Sequence, residues 1–226
     1  MRLAATIIAI ALILSALIFR DAMLNFKKSE RILSVKGLAQ KEMPADVAIF
    51  PLTIEVADNG YQNLTQKLKE SLQKTLHFLE SFGFSDDEIT IAPPQIIDKL
   101  AEAYSSNVRI RYTASATLTI YTKKIDSVLR LQKELFRLSQ QGVLVKVNSY
   151  DVEFLFTRLN EIKPQMIEIA TQNAKKAALK FAKDAGARLG AVKSATQGYF
   201  SITNRDKNTP YIKRIRVVTK MQYYLE

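Results

Sequence analysis

The chain contains no cysteine and no tryptophan, and its single histidine is His77. Without cysteine, disulfides, thiol catalysis and thiolate metal sites are excluded. One histidine cannot form a multi-histidine metal centre. With only 7 glycines in 226 residues, the sequence also lacks a G-x-G-x-x-G or Walker phosphate-binding pattern. These absences exclude much common enzyme chemistry, and we expect neither a metal nor a cofactor.

Three features could still carry catalysis, and each has a simpler interpretation. His77 lies opposite the leucine stripe of a predicted helix, so we expect it to be exposed and to lack the pocket of a general base. The consecutive acids Asp86–Glu88 lack the alternating ligand spacing of a calcium loop, and a polar turn is expected. Asp151 and Glu153 are expected on one strand face as exposed partners for lysine or arginine, although paired carboxylates can perform acid–base work. The sequence therefore predicts a protein that is not an enzyme.

Positive charge is concentrated near the C-terminus. The whole chain carries a formal net charge of +11, and residues 163–220 alone hold 13 basic and 3 acidic residues. This asymmetry favours an anionic partner, such as a membrane surface, a polyanion or an acidic neighbouring subunit. A solvated basic face without a partner is the alternative.

An uncharged apolar run covers residues 3–19. As a helix it would extend roughly 25 Å, close to the ~30 Å hydrocarbon core of a bilayer. The run ends without a good small-x-small cleavage site, so we predict a transmembrane anchor or signal-anchor in 1–21 rather than a cleaved signal peptide. Residues 22–30 are predicted to be a polar tether.

The remaining sequence predicts an α+β fold, with one domain over residues 31–226. An antiparallel-rich sheet is expected to pack with about three amphipathic helices, near 64–82, 124–140 and 161–187. Alternation predicts strands at 31–37, 46–56, 89–97, 108–121, 192–203 and 211–225. Pro51 places its strand at an edge or a bulge. A change of apolar phase within 143–157 predicts a bend near 148–151.

Two groups of cations are the candidate contact residues. The first lies on the predicted helix 161–187 beside a stripe of small residues that permits close packing: Lys176, Lys180 and Lys183, next to Ala170, Ala174, Ala177, Ala178, Phe181 and Ala185. The second group, Arg214, Arg216 and Lys220, occupies one face of the last strand. Few aromatic residues interleave with these cations, which makes nucleic acid an unfavoured partner.

Three blocks of the sequence resemble the SIMPL-domain family of bacterial envelope proteins, which includes periplasmic immunogenic proteins. SVKGLAQKEMPADVAIFPLTIEV contains Gly37, Pro44, Asp46 and Ala48, similar to the family's glycine-ended strand and Pro-Asp-x-Ala step, with Ala45 inserted. ITIAPPQIIDKL followed by RYTASATLTIY resembles its strand pair, and IATQNAKKAALKFAKDAGARLGAV resembles its Ala/Lys-rich helix. The order and spacing of the blocks, over roughly residues 31–226, carry the resemblance.

The resemblance implies export, an N-terminal signal or anchor, and assembly into a ring- or cage-like oligomer, with no catalytic residues to transfer. We therefore expect a membrane-tethered protein of the cell envelope, with its domain in the periplasm and a structural, protective or stress-related role. A soluble periplasmic form after cleavage stays open. The competing interpretation is a cytoplasm-facing protein whose basic quarter binds anionic lipid or nucleic acid. Arg20, Lys27, Lys28 and Arg31 follow the apolar run and favour this second orientation.

Overall fold

The computed structural model describes residues 12–20, 23, 31–101 and 108–226. Residues 12–20 are helical and exposed. The first part of the predicted span, residues 3–11, and nearly all of the predicted tether lie outside the described residues. Among the residues described, no helix is both long enough and apolar enough to cross a membrane.

The elements alternate between strands and helices, as the sequence predicts for an α+β fold. In chain order they are β1 (Ile32–Pro44), β2 (Val47–Asp58), α1 (Tyr61–Glu80), a 3-10 turn (Asp86–Glu88), β3 (Ile89–Ile91), β4 (Gln95–Asp98), β5 (Tyr112–Thr122), α2 (Ile125–Gln140), β6 (Leu144–Lys146), β7 (Glu153–Leu155), α3 (Leu159–Asp184), β8 (Leu189–Gln197), β9 (Ser201–Asn204) and β10 (Ile212–Leu225).

The range predicted as one domain divides into two compact units. The first comprises the described residues up to Lys41 together with Leu159–Thr203 and Arg214–Glu226. The second comprises Glu42–Arg158 and Asn204–Lys213. Each unit has its own antiparallel sheet.

The second unit is built on a long pairing between β2 and β5. Their register runs without a break from Ala48 opposite Thr122 to Asp58 opposite Tyr112. β3 and β4 pair with the far side of β5, and β6 and β7 pair with β2. Alternate residues of both strands are buried beneath α1 and α2, because side chains on a strand point to opposite faces. The largest of these buried side chains are Phe50, Leu52, Ile54, Leu118 and Ile120.

The prediction that Pro51 marks an edge strand or a bulge is wrong. β2 has partners on both sides, and Pro51 pairs in regular register with Thr119 of β5. On its other side, β7 pairs with Val47–Ile49 and β6 with Thr53–Glu55. Pro51 lies opposite the gap between these two short strands, so its missing N–H removes no ladder bond there. The predicted bend near 148–151 is the turn that separates β6 from β7.

In the first unit, α3 packs on a sheet in the order β1–β10–β8, with β9 also pairing with β10. Every fourth residue of α3 is buried: Met166, Ala170, Ala174, Ala178 and Ala182. The predicted stripe of small residues is therefore confirmed at Ala170, Ala174 and Ala178. It is wrong at Phe181 and Ala185, which are exposed. Ala185 follows the last residue of α3, Asp184. Ala182 lies 40° further round the helix than Ala178, so the buried face rotates away from Phe181.

Gly37 allows β1 and α3 to approach closely. A Cβ atom at this position would lie 1.9 Å from the carbonyl oxygen of Ala170 and 2.4 Å from the nitrogen of Ala174. Only glycine fits without movement of the strand or the helix. The odd-numbered residues of β1 around Gly37 therefore face α3, and the even-numbered residues face away from it.

Candidate interaction surfaces

The six cations predicted as contact residues lie on two separate surfaces of the first unit. Lys176, Lys180 and Lys183 are exposed on α3, on the side away from its buried alanines. Lys180 lies 3.9 Å from Asp184 in an exposed ion pair. Such a pair contributes little because water screens both charges. The structure does not bring this lysine row together with the cations of the last strand.

The cations of β10 lie on the sheet face turned away from α3. On β10 the odd-numbered residues Met221 and Tyr223 are buried in the cluster that contains Ala174 and Ala178. Because side chains alternate, Arg214, Arg216 and Lys220 occupy the opposite face. Arg216 and Lys220 are exposed, and Arg214 is half-buried.

Two lysines that the sequence analysis missed extend this cationic sheet face. Lys36 lies on β1 next to Gly37 and is exposed on the side away from α3. Lys193 of β8 places its Nζ 5.8 Å from the ring centroid of Tyr224, an even-numbered residue of β10. The alternation of side chains along β1 around Gly37 could have placed Lys36 on the outward face from the sequence alone. Lys193 could be placed there only from the pairing of β8 with β10.

The strands that form this face contain one carboxylate, that of Glu42 near the end of β1, which lies 4.0 Å from Arg205. Residues 31–41, 189–204 and 214–225 include seven lysines and arginines and no aspartate or glutamate. We define the cationic sheet face as the exposed cations Lys36, Lys193, Arg216 and Lys220. Alongside these charges lie Ser194 and Thr196, which are opposite Gln222 and Lys220 in the strand register. Four exposed positive charges thus share one face of a sheet whose strands hold a single carboxylate, Glu42.

β8 is an exposed edge of the same sheet. Among the described residues it pairs with β10 alone, and its side chains from Ala191 to Gln197 are exposed on both faces. The N–H of Gly198 donates to the carbonyl of Val218, which lies opposite it in the antiparallel register. Hydrogen-bonded and non-hydrogen-bonded pairs alternate in such a ladder, so the N–H and carbonyl of Ala195 point away from β10. This edge offers unpaired backbone groups to another strand.

The sheet of the second unit also has a face that its helices do not cover. Half-buried hydroxyl residues line the centre of this face, where Thr53 and Thr117 are linked by a 2.9 Å hydrogen bond between their Oγ1 atoms. At one side, Lys146 donates to Glu55 over 2.7 Å. A shallow cavity of about 270 Å³ lies nearby, lined by residues that include Ile97 and Leu144.

His77 is exposed, as the sequence predicts. Its side chain is 79% accessible, and its Nδ1 lies 3.1 Å from Oε2 of Glu80 one turn later on α1. An imidazole in water with a single flexible neighbour is not held against a reacting group. Within the described residues, no group of three or more His, Asp or Glu side chains could hold a metal ion.

The acidic residues considered for catalysis have structural roles or lie apart. Asp86–Glu88 form a turn, and Glu88 accepts hydrogen bonds from Lys124, Thr122 and Ser85. Burial alone would raise the pKa of Glu88, but these hydrogen bonds outweigh burial and lower it to about 2. The expectation that Asp151 and Glu153 share a strand face is wrong, because Asp151 lies in the turn before β7.

Asp46, from the Pro-Asp-x-Ala step, fixes the loop that enters α3. Its carboxylate accepts hydrogen bonds from the backbone N–H groups of Thr157 and Arg158, from the Thr157 hydroxyl and from Nε of Arg158. Burial acts to raise the pKa of Asp46, but the bonds from Thr157 and Arg158 prevail and lower it. Asp46 thereby links the residue before β2 to the loop before α3, although the two lie 111 positions apart in the sequence.

Lys213 is the buried cation of the second unit. Its ammonium group donates a hydrogen bond to Oδ1 of Asn204. Burial lowers the pKa of Lys213, and the nearby charge of Glu153 acts in the opposite direction. The hydrogen bond to Asn204 and the charge of Glu153 offset part of the free-energy cost of burying this ammonium group.

Comparison with known families supports the resemblance seen in the sequence. A family model described as SIMPL, protein of unknown function (DUF541), matches residues 33–221. The match covers most of the chain, including every strand and helix from β1 to most of β10. No curated protein matches the chain.

Proposed function

The chain belongs to the SIMPL family, and from that premise we propose that it is a non-enzymatic, membrane-tethered envelope protein that assembles into an oligomer. In this proposal residues 3–19 anchor the chain in the inner membrane, the two units lie in the periplasm, and the role is structural or protective, for example under stress. The observation that supports assembly is that β8 is an exposed edge strand. Its outward N–H and carbonyl groups can form a ladder with a strand of another copy.

The assembly is tested by the mass of the particle formed by residues 31–226 at tens of micromolar, measured by light scattering after gel filtration. We expect an oligomer. A strictly monomeric particle at both 0.05 and 1 M salt would refute intrinsic assembly.

The contribution of β8 is tested with Ala195→Pro. Proline at this position removes an outward N–H but leaves the bonds between β8 and β10 intact. We expect the oligomer to dissociate while the circular dichroism spectrum stays unchanged. Ala195→Ser, which keeps the N–H and the exposed side-chain position, is the matched control and should remain oligomeric. Equal particle masses for the two variants would exclude the β8 edge as the contact.

The tether is tested by flotation of the full chain with neutral vesicles. The apolar run 3–19 supports membrane insertion, and each central lysine costs roughly 2.5–3.5 kcal/mol on insertion scales. We therefore expect the full chain to float and the double variant Ile10→Lys with Leu12→Lys to stay in solution. A mature protein that starts near residue 22 and needs no detergent would contradict the anchor.

The second candidate function places the units in the cytoplasm. It is favoured by the four cations that follow the apolar run, since positive residues are enriched on the cytoplasmic side. A topology reporter fused to the C-terminus distinguishes the two. We expect activity from a periplasmic reporter, and activity from a cytoplasmic reporter alone would select the alternative.

A further inference from the structure

The cationic sheet face is larger and more uniform than either cation group in the sequence suggested. Its four charges come from three strands that contain a single acid, Glu42 near the end of β1, so the neighbouring positive charges repel one another. Such a surface lowers its free energy when anions bind. The lysine row on α3 differs, because Asp184 lies among its cations.

The remaining side chains of this face point to one class of anion. Ile32 and Leu38, on the same outward side of β1, are 36% and 42% exposed. Aliphatic groups between cations suit the boundary between lipid headgroups and acyl chains. A single-stranded nucleic acid would instead use stacked aromatic rings. Tyr224 is the only aromatic residue at an even-numbered position of β10, and it is half-buried.

The position of this face in the chain brings it near a bilayer. Ile32 begins β1 only 13 residues after Phe19, the last residue of the apolar run. A fully extended segment of that length reaches at most roughly 45 Å. If residues 3–19 span the membrane, the face is held at a high local concentration of headgroups.

We propose that the cationic sheet face binds the headgroups of anionic phospholipids and lays the first unit's sheet against the membrane. The proposal rests on the proposed function only for the nearness of the bilayer. Each lysine or arginine near an anionic surface contributes about a fivefold gain in binding. Loss of two of the four charges should therefore weaken vesicle binding about 25-fold.

The test uses the full chain carrying Ile10→Lys and Leu12→Lys, so that vesicle binding is read without the apolar tether. Sedimentation measures its partition onto vesicles of phosphatidylcholine alone, or with about one third phosphatidylglycerol, at about 0.1 M salt. The two added lysines are present in every arm, so their contribution cancels. We expect binding to the anionic vesicles only.

The charge-matched comparison separates the two cation groups. Arg216→Gln with Lys220→Gln should lower partition about 25-fold, whereas Lys176→Gln with Lys180→Gln should change it less than threefold. All four residues are exposed, and both pairs remove two positive charges from the first unit. Equal losses in the two pairs would mean that net charge alone attracts the chain, and would overturn the proposal.

Two further outcomes overturn it. One is the absence of binding to the anionic vesicles. The other is tighter binding to single-stranded DNA than to vesicles at equal phosphate concentration, which would make the face a nucleic-acid surface. Failure of the tether is read separately, because it appears as failure of the unmodified chain to float with neutral vesicles.

Discussion

Replacement of Gly37 by alanine should disrupt the packing of α3 on its sheet. The new Cβ would lie 1.9 Å from the carbonyl oxygen of Ala170, where ordinary contacts begin near 3.4 Å. The carbonyl oxygen is a backbone atom and the Cβ is bonded directly to the backbone, so neither can move aside by side-chain rotation. The strand and the helix would therefore have to separate by roughly 1.5 Å. That separation loosens the cluster of Val35, Ala174, Ala178, Met221 and Tyr223.

We expect a loss of about 3 kcal/mol, at the upper end of the range for overpacked cores. For a chain of this size the loss corresponds to a fall in Tm of roughly 6–12 °C. Thermal melts followed by circular dichroism and urea titrations of Gly37→Ala would measure it. Gly60→Ala is the control, because its nearest new contact is the Asn63 side chain at 3.4 Å and its expected cost is below about 1 kcal/mol.

A second variant tests whether the backbone causes the clash. Ala174→Gly removes the side-chain carbon that would lie 2.8 Å from the new Cβ, but it leaves the closer backbone atoms in place. The double variant should therefore be no more stable than Gly37→Ala alone, and glycine within α3 should cost about 1 kcal/mol further. Recovery of stability in the double variant, or a Gly37→Ala chain within 1 kcal/mol of the parent, would refute the reasoning.

Asp46→Asn should cost about 1–2 kcal/mol at pH 7, because a charge-assisted acceptor is replaced by a neutral one. The pKa of Asp46 is lowered in the folded state, so its contribution to stability is present above pH 4 and declines as acid protonates the carboxylate. Urea titrations at pH 7 and pH 3 should therefore show a smaller difference in unfolding free energy between the parent and Asp46→Asn at pH 3. An undiminished difference at pH 3 would contradict this. Glu88→Gln should also lower the free energy of unfolding at pH 7. This loss should disappear between about pH 4.5 and 2, because the pKa of the folded carboxyl is about 2. His77→Ala should change the free energy of unfolding by less than about 0.5 kcal/mol, and a large loss of any measured activity with the fold intact would revive the enzyme hypothesis.

Several elements followed from local patterns in the sequence. The leucine repeat predicted α1, the alternation of apolar residues predicted β2 and β5, and the phase change located the turn between β6 and β7. These patterns work because each depends on which side of one element is buried. The strand predicted from Val108 begins only at Tyr112, since residues 108–111 have no strand partner in the structure.

The pairing of strands could not be read from such patterns. Pro51 suggested an edge, yet β2 is central, because two short partners leave a gap opposite the proline. Which strands become neighbours depends on contacts between distant parts of the chain. The proline by itself therefore cannot show whether the neighbouring strands leave a gap opposite it.

The candidate surfaces show the same division. The sequence by itself determined that the C-terminal quarter is strongly basic, that no thiol or histidine cluster is present, and that alternate residues of the last strand carry cations. Only the tertiary structure decided that Lys36 joins that face and that the lysine row of α3 lies on another side. Charge composition belongs to the chain, but the sharing of a face by distant residues is created by the packing of β1, β8 and β10 into one sheet.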